Sequence, residues 1–131
     1  IMNTLTFDPP LGHITTFGGH PVNCAAALAN IEVLTSGNIL NEVEEKGKLL
    51  EGLIAHSNIK EIRRAGLMFA IEMENEEIVA EIVQACQANG LLSFWFLSCP
   101  ESFRIAPPLT VSREEIKEAA KILKQAIEQH S

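Results

Sequence analysis

The chain has 131 residues, enough for one ordinary domain and too few for two. Apolar residues at 47% and charged residues at 21% mark a globular composition that can bury a core without disulfides or a structural metal. Seventeen acids against ten bases, a net charge of −7, argue against a nucleic-acid partner, and the longest apolar stretch, Leu91 to Cys99, is too short to span a membrane.

Residues 1–21 hold Asp8-Pro9-Pro10, Gly12, Gly18-Gly19 and Pro21, a density of Pro and Gly that breaks helices and central strands. This segment reads as an irregular arm that packs on something outside the chain. From Val22 to Leu34, five residues in a row from Ala25 to Ala29 are strong helix formers, and Ile31 and Leu34 continue an apolar face. That helix is expected to stop at Ser36-Gly37, with Gly37 in the left-handed conformation of a cap. A second helix is expected over 38–56, capped by Asn38, with Ile39, Leu40, Val43, Leu50, Leu53 and Ile54 inward and Lys46 and Lys48 on its polar face. Two strands, 59–63 and 67–73, flank Gly66, and Phe69, Ile71 and Met73 alternate with polar or small neighbours in the second. A third helix over 75–89 carries Ile78, Val79, Ile82, Val83 and Cys86 as its stripe and ends at Gly90.

Leu91 to Leu97 reads as a buried strand and 103–106 as another. Ser112-x-x-Glu115 is a capping box that opens a last helix with Ile116, Ala119, Ala120, Leu123, Ala126 and Ile127 on its apolar face. The order gives an α+β fold: a three- to four-stranded, mainly antiparallel sheet with helices packed on one face. The three cysteines, Cys24, Cys86 and Cys99, are odd in number and widely spaced, so they read as buried thiols of a reducing, cytoplasmic compartment. Nothing resembles a signal peptide, and Ile1 in place of an initiator Met suggests a piece of a longer protein.

Two places could carry chemistry. Thr15-Thr16-Phe17-Gly18-Gly19-His20-Pro21 puts hydroxyls and glycine-freed amides before a helix, which suits an anion such as phosphate or serves only as a turn. Arg104 is the only basic residue between Leu91 and Val111 and needs either an internal acid or an incoming carboxylate. His13, His20 and Cys24 follow no metal-ligand spacing, so no metal is expected. No hydrolase nucleophile motif is present, and paired acids such as Glu44-Glu45 fall on helices as solvated charge.

The stretch Gly12-His13-Ile14-Thr15-Thr16-Phe17-Gly18-Gly19-His20-Pro21 before an alanine-rich helix resembles a signature of the class III aminotransferases, pyridoxal-phosphate enzymes that include acetylornithine, ornithine and 4-aminobutyrate aminotransferases. Arg63-Arg64-Ala65-Gly66-Leu67-Met68 is similar to a second family segment, and Phe103-Arg104-Ile105-Ala106-Pro107-Pro108-Leu109 to a third, in the family's order. His20 stands where many members carry Asn, and Arg64 where Gly is usual. The resemblance implies that Thr16 reaches the cofactor phosphate of the neighbouring subunit in a homodimer. It implies that Phe17 lies beside that phosphate and offers its amide, and that Arg104 grips a substrate carboxylate. It implies pyridoxal 5'-phosphate as cofactor and small amino acids or amines and 2-oxo acids as substrates. The family's Schiff-base lysine lies upstream of the Thr-Thr-Phe-Gly-Gly stretch, and none of the six lysines here matches it. The chain alone should therefore be inactive. Residues 1–21 would be the tail of the large cofactor-binding domain, and 22–131 the C-terminal small domain with its connecting helix. A relative acting as aminomutase or decarboxylase, or a stand-alone α+β interaction module, remains the alternative.

Overall fold

The structure, a computed structural model, describes residues 15–130, so the expectations for His13 and for the arm before Thr15 lie outside the described residues. The chain divides into two compact units, Ile1–Gly37 and Asn38–Ser131. In the first, α1 spans Pro21–Ser36. Its end falls where expected, but Gly37 has φ −106° and ψ 176°, so the chain leaves the helix in extended backbone rather than through a left-handed cap. Cys24 is exposed on this helix, Cys86 is buried and Cys99 is half-buried, all with free thiols; only Cys86 is the fully buried thiol expected of all three.

The second unit contains α2 (Ile39–Ile54), β1 (Glu61–Ala65), β2 (Met68–Glu72), α3 (Glu76–Ala88), β3 (Phe94–Phe96), β4 (Cys99–Ile105) and α4 (Arg113–His130). The four strands form one antiparallel sheet in the order β1-β2-β4-β3. The α+β architecture expected from sequence is the one observed. Period-two alternation decides the layers. One cross-strand row, Ile62–Ile71–Phe103, turns inward, and Phe69 and Ile105 lie beside it, with Phe69, Ile71 and Phe103 fully buried. Leu50, Ile54, Val79, Ile82, Val83, Ile116, Leu123 and Ile127 from the helices complete the core. α4 packs against α2 and α3, and α3 against β3 and β4. The next row, Arg63–Ala70–Arg104–Phe94, crosses all four strands on the opposite face.

Local chemistry explains the element ends. Gly66 takes φ 60° between β1 and β2, a conformation any side chain would strain. Asn75 accepts a hydrogen bond from the Ile78 N–H at 2.9 Å, capping α3. The capping box is built as read: the Glu115 N–H donates to Ser112 Oγ at 3.1 Å, and the Ser112 N–H to Glu115 Oε2 at 2.7 Å. Asn38, expected to cap α2, makes no side-chain cap bond; its side-chain oxygen accepts from Asn41 Nδ2 at 3.4 Å instead.

Two further expectations differ from the structure because residue type alone does not decide burial. Lys46 is not on a polar face: it is buried, and its Nζ donates to the Leu109 carbonyl at 3.3 Å and pairs with Glu42 at 3.0 Å. Leu91 to Leu97 is not a buried strand: only 94–96 is extended, and Leu92, Phe94, Trp95 and Leu97 are exposed. A register shift between Trp95 and Phe96 breaks the ladder there and limits the strand to three residues.

Candidate functional site

Thr16 and Phe17 share one exposed turn that ends at Gly19. The Phe17 carbonyl accepts the His20 N–H at 3.2 Å, which closes the turn immediately before α1. His20 supplies no side-chain cap, and Pro21 at the start of the helix has no N–H to give. The first donors of α1 are therefore those of Val22 and Asn23, which no side chain among the described residues caps. The Thr16 hydroxyl makes no hydrogen bond among the described residues. An exposed hydroxyl in the turn before a helix start without a side-chain cap is chemistry that suits an anion.

In the second unit, three arginines lie on two strands of one sheet, and their partners differ. Arg63 pairs with Glu72 at 2.6 Å and with Glu61, and donates to Ser102 Oγ at 3.2 Å. Arg64 forms a two-pronged bond to Glu44 at 3.0 and 2.9 Å and a third to Glu51 at 2.6 Å. Glu72 and Glu61 hold the Arg63 guanidinium well above the usual arginine range, and Glu44 and Glu51 do the same for Arg64. Glu44, read from sequence as solvated charge, instead ties α2 to β1 through Arg64.

Arg104 has no such partner. It is exposed, and among the described residues it makes neither a hydrogen bond nor an ion pair. The internal acid that the sequence left open is absent among those residues. Its side chain lines an open cavity of about 410 Å³ with Met68, Leu92, Phe94, Ala106, Gln87 and Ser93. Among the described residues that line it, only Arg104 is charged. Ser93 is buried there, and its hydroxyl has no well-formed hydrogen bond among the described residues. Burial pushes the adjacent Cys86 thiol up, an effect the Ser93 hydroxyl partly offsets. A cavity of about 330 Å³ beside Trp95 and Pro100 is bordered by Glu76 and Glu77 and so repels anions. Among the described residues no group of three His, Cys, Asp or Glu side chains is placed to hold a metal.

Thr16, Phe17 and Arg104 are the site residues expected from the sequence; the other walls of the Arg104 cavity carry no local sequence signal. Phe94 reaches it because its Cα pairs with that of Arg104, a register set by the irregular β3 and invisible in composition. Thr16 and Phe17 share one unit, and Arg104 belongs to the other.

This four-stranded antiparallel sheet with its helices is an α+β small domain of the kind seen in the aminotransferase structures that superpose on it. The sequence pattern of Aminotransferase class-III matches residues 1–127, and the chain belongs to that family. Acetylornithine aminotransferase of Bacillus subtilis (strain 168) is 39% identical over 126 residues, covering 93% of this chain and 32% of that protein. A Bacillus anthracis aminotransferase superposes with a TM-score of 0.79 at 32% identity, over 89% of this chain and 30% of its own. Acetylornithine aminotransferase from Elizabethkingia anophelis does so with a TM-score of 0.76 at 28% identity, over 89% of this chain and 32% of its own. The chain thus spans about a third of the length of the relatives it matches.

Proposed function

We propose that this chain is the C-terminal part of a pyridoxal-phosphate-dependent aminotransferase that moves an amino group from an amino acid or amine to a 2-oxo acid. Residues 1–21 are the tail of the large domain, and 22–131 are the small domain with its connecting helix. α1 supports that role: of its sixteen residues only Glu32 is charged, while Val22, Leu28, Ile31 and Val33 are all more than half exposed. A helix apolar around its circumference is one that other chain surrounds. The full-length enzyme is a cytoplasmic homodimer.

Arg104 carries the proposal. It is an unpaired guanidinium in an otherwise uncharged cavity, and a planar fork is suited to a carboxylate. Arg104 binds and orients the substrate carboxylate. Thr16, through its hydroxyl, and Phe17, through its amide, hold the cofactor phosphate of the neighbouring subunit. The cofactor, when bound, supplies the electron sink for the chemistry at the amino carbon.

In the full-length enzyme Arg104→Ala should cut kcat/KM for carboxylate substrates by roughly 30- to several-thousand-fold, because a desolvated carboxylate loses its partner. Amines of similar length lacking the carboxylate should react as before. Arg104→Lys should recover only part of the loss. Equal losses for the two substrate types would remove Arg104 from the site.

A further inference from the structure

The aromatic segment Phe94-Trp95-Phe96 has no part in the assignments above, yet it borders the Arg104 cavity. Phe94 lies directly across the ladder from Arg104. Directly opposed side chains on one sheet face are close enough to act on the same ligand. Phe94 is 47% exposed, so part of its apolar surface is uncommitted. It is also held in place: its ring stacks on Trp95 with centroids 4.3 Å apart and planes 18° from parallel. Met68 and Leu92, on the same cavity, are 52% and 86% exposed. A carboxylate seated on Arg104 would thus place whatever is attached to it against an apolar wall with surface left to bury.

We infer that Phe94 is a specificity-determining residue of the Arg104 site, selecting carboxylates that carry an apolar group close to the carboxylate. The inference rests on the reading of Arg104 as the carboxylate ligand. Arg104 fixes the charge, and Phe94 rewards the bulk beside it. Gln87 and Ser93 are the other polar residues of that lining, and neither carries a positive charge to balance a second anionic group.

The experiment uses small carboxylates as competitive inhibitors of the full-length enzyme, with acetate and trimethylacetate as the probes. The native enzyme should bind trimethylacetate more tightly than acetate. Phe94→Ala should reduce that preference by about five- to tenfold, the effect of losing roughly half a ring of apolar contact. Phe94→Leu should fall between the two and guards against loss of fold in the alanine variant. If the ratio of the two inhibition constants stays within twofold of native in both variants, while Arg104→Ala weakens both inhibitors, the inference about Phe94 is wrong and the Arg104 site stands. If Arg104→Ala leaves both constants unchanged, the carboxylate site itself is wrong.

Discussion

Arg63, Arg64 and Arg104 share one chemistry and differ in what surrounds them. Two carboxylates pair with each of the first two, and among the described residues none reaches the third. That difference is only half legible in the sequence. Arg104 stood out because its neighbours in the chain are apolar, but Glu44 and Glu51 reach Arg64 across 20 and 13 positions that no local pattern connects. The same scale governs Thr16. If its hydroxyl holds the cofactor phosphate, Thr16→Ala in the full-length enzyme should weaken cofactor retention by roughly 1.5–3 kcal/mol, the range for one hydrogen bond to a charged group. Dialysis followed by measurement of retained cofactor reads this directly, and equal loss from variant and parent would exclude the contact. Glu115 gives a pH prediction. The Ser112 N–H and hydroxyl both donate to its carboxylate and hold it below the usual 4.5. A depressed native value adds stability above the unfolded value and gives it up as pH falls through the native one. Glu115→Gln should therefore lower the melting temperature at neutral pH, with the gap to the parent closing below pH 4.5.

At the scale of elements, the sequence spoke most clearly where one residue type serves one local need. Ser112 and Glu115 announce a helix start, Asn75 another, and Gly66 a reversal between strands. It spoke least clearly where a residue's environment is made by a distant element. Lys46 is buried because the Leu109 carbonyl, 63 residues away, meets its ammonium. Trp95 is exposed on a strand whose register shifts on reaching Phe96. Gly47 belongs to the second group. It is buried in the middle of α2, where glycine costs about 1 kcal/mol relative to alanine. Its lack of a side chain lets the β1–β2 turn approach: a Cβ there would stand 2.5 Å from the Gly66 carbonyl oxygen. Gly47→Ala should accordingly destabilise despite better helix propensity, by about 1–3 kcal/mol, as overpacking against backbone does. Urea unfolding of parent and variant decides it; a gain in stability would mean that helix and turn separate without cost.

At the scale of the whole molecule, the second unit has a continuous core from all three of its helices and its sheet, whereas the proposed chemistry needs more than this chain. Its lysines are committed or solvated: Lys46 to the Leu109 carbonyl, Lys60 to the Glu74 carbonyl, Lys48 to Glu44, and Lys117, Lys121 and Lys124 on exposed positions of α4. The 131 residues mixed with pyridoxal phosphate should show no amino transfer to a 2-oxo acid. Turnover that vanishes on substitution of one particular lysine would contradict this. The sheet order has a further bearing on how the molecule behaves in a crowded solution. An outermost strand with unsatisfied amides can recruit a strand from a neighbour and begin a fibril. Here one border is β1, where Glu61, Arg63 and Arg64 follow Lys60, and the other is β3, three residues long and broken by its register shift. Charge on one side and brevity on the other leave neither border a template, so the sheet is closed to growth at both ends.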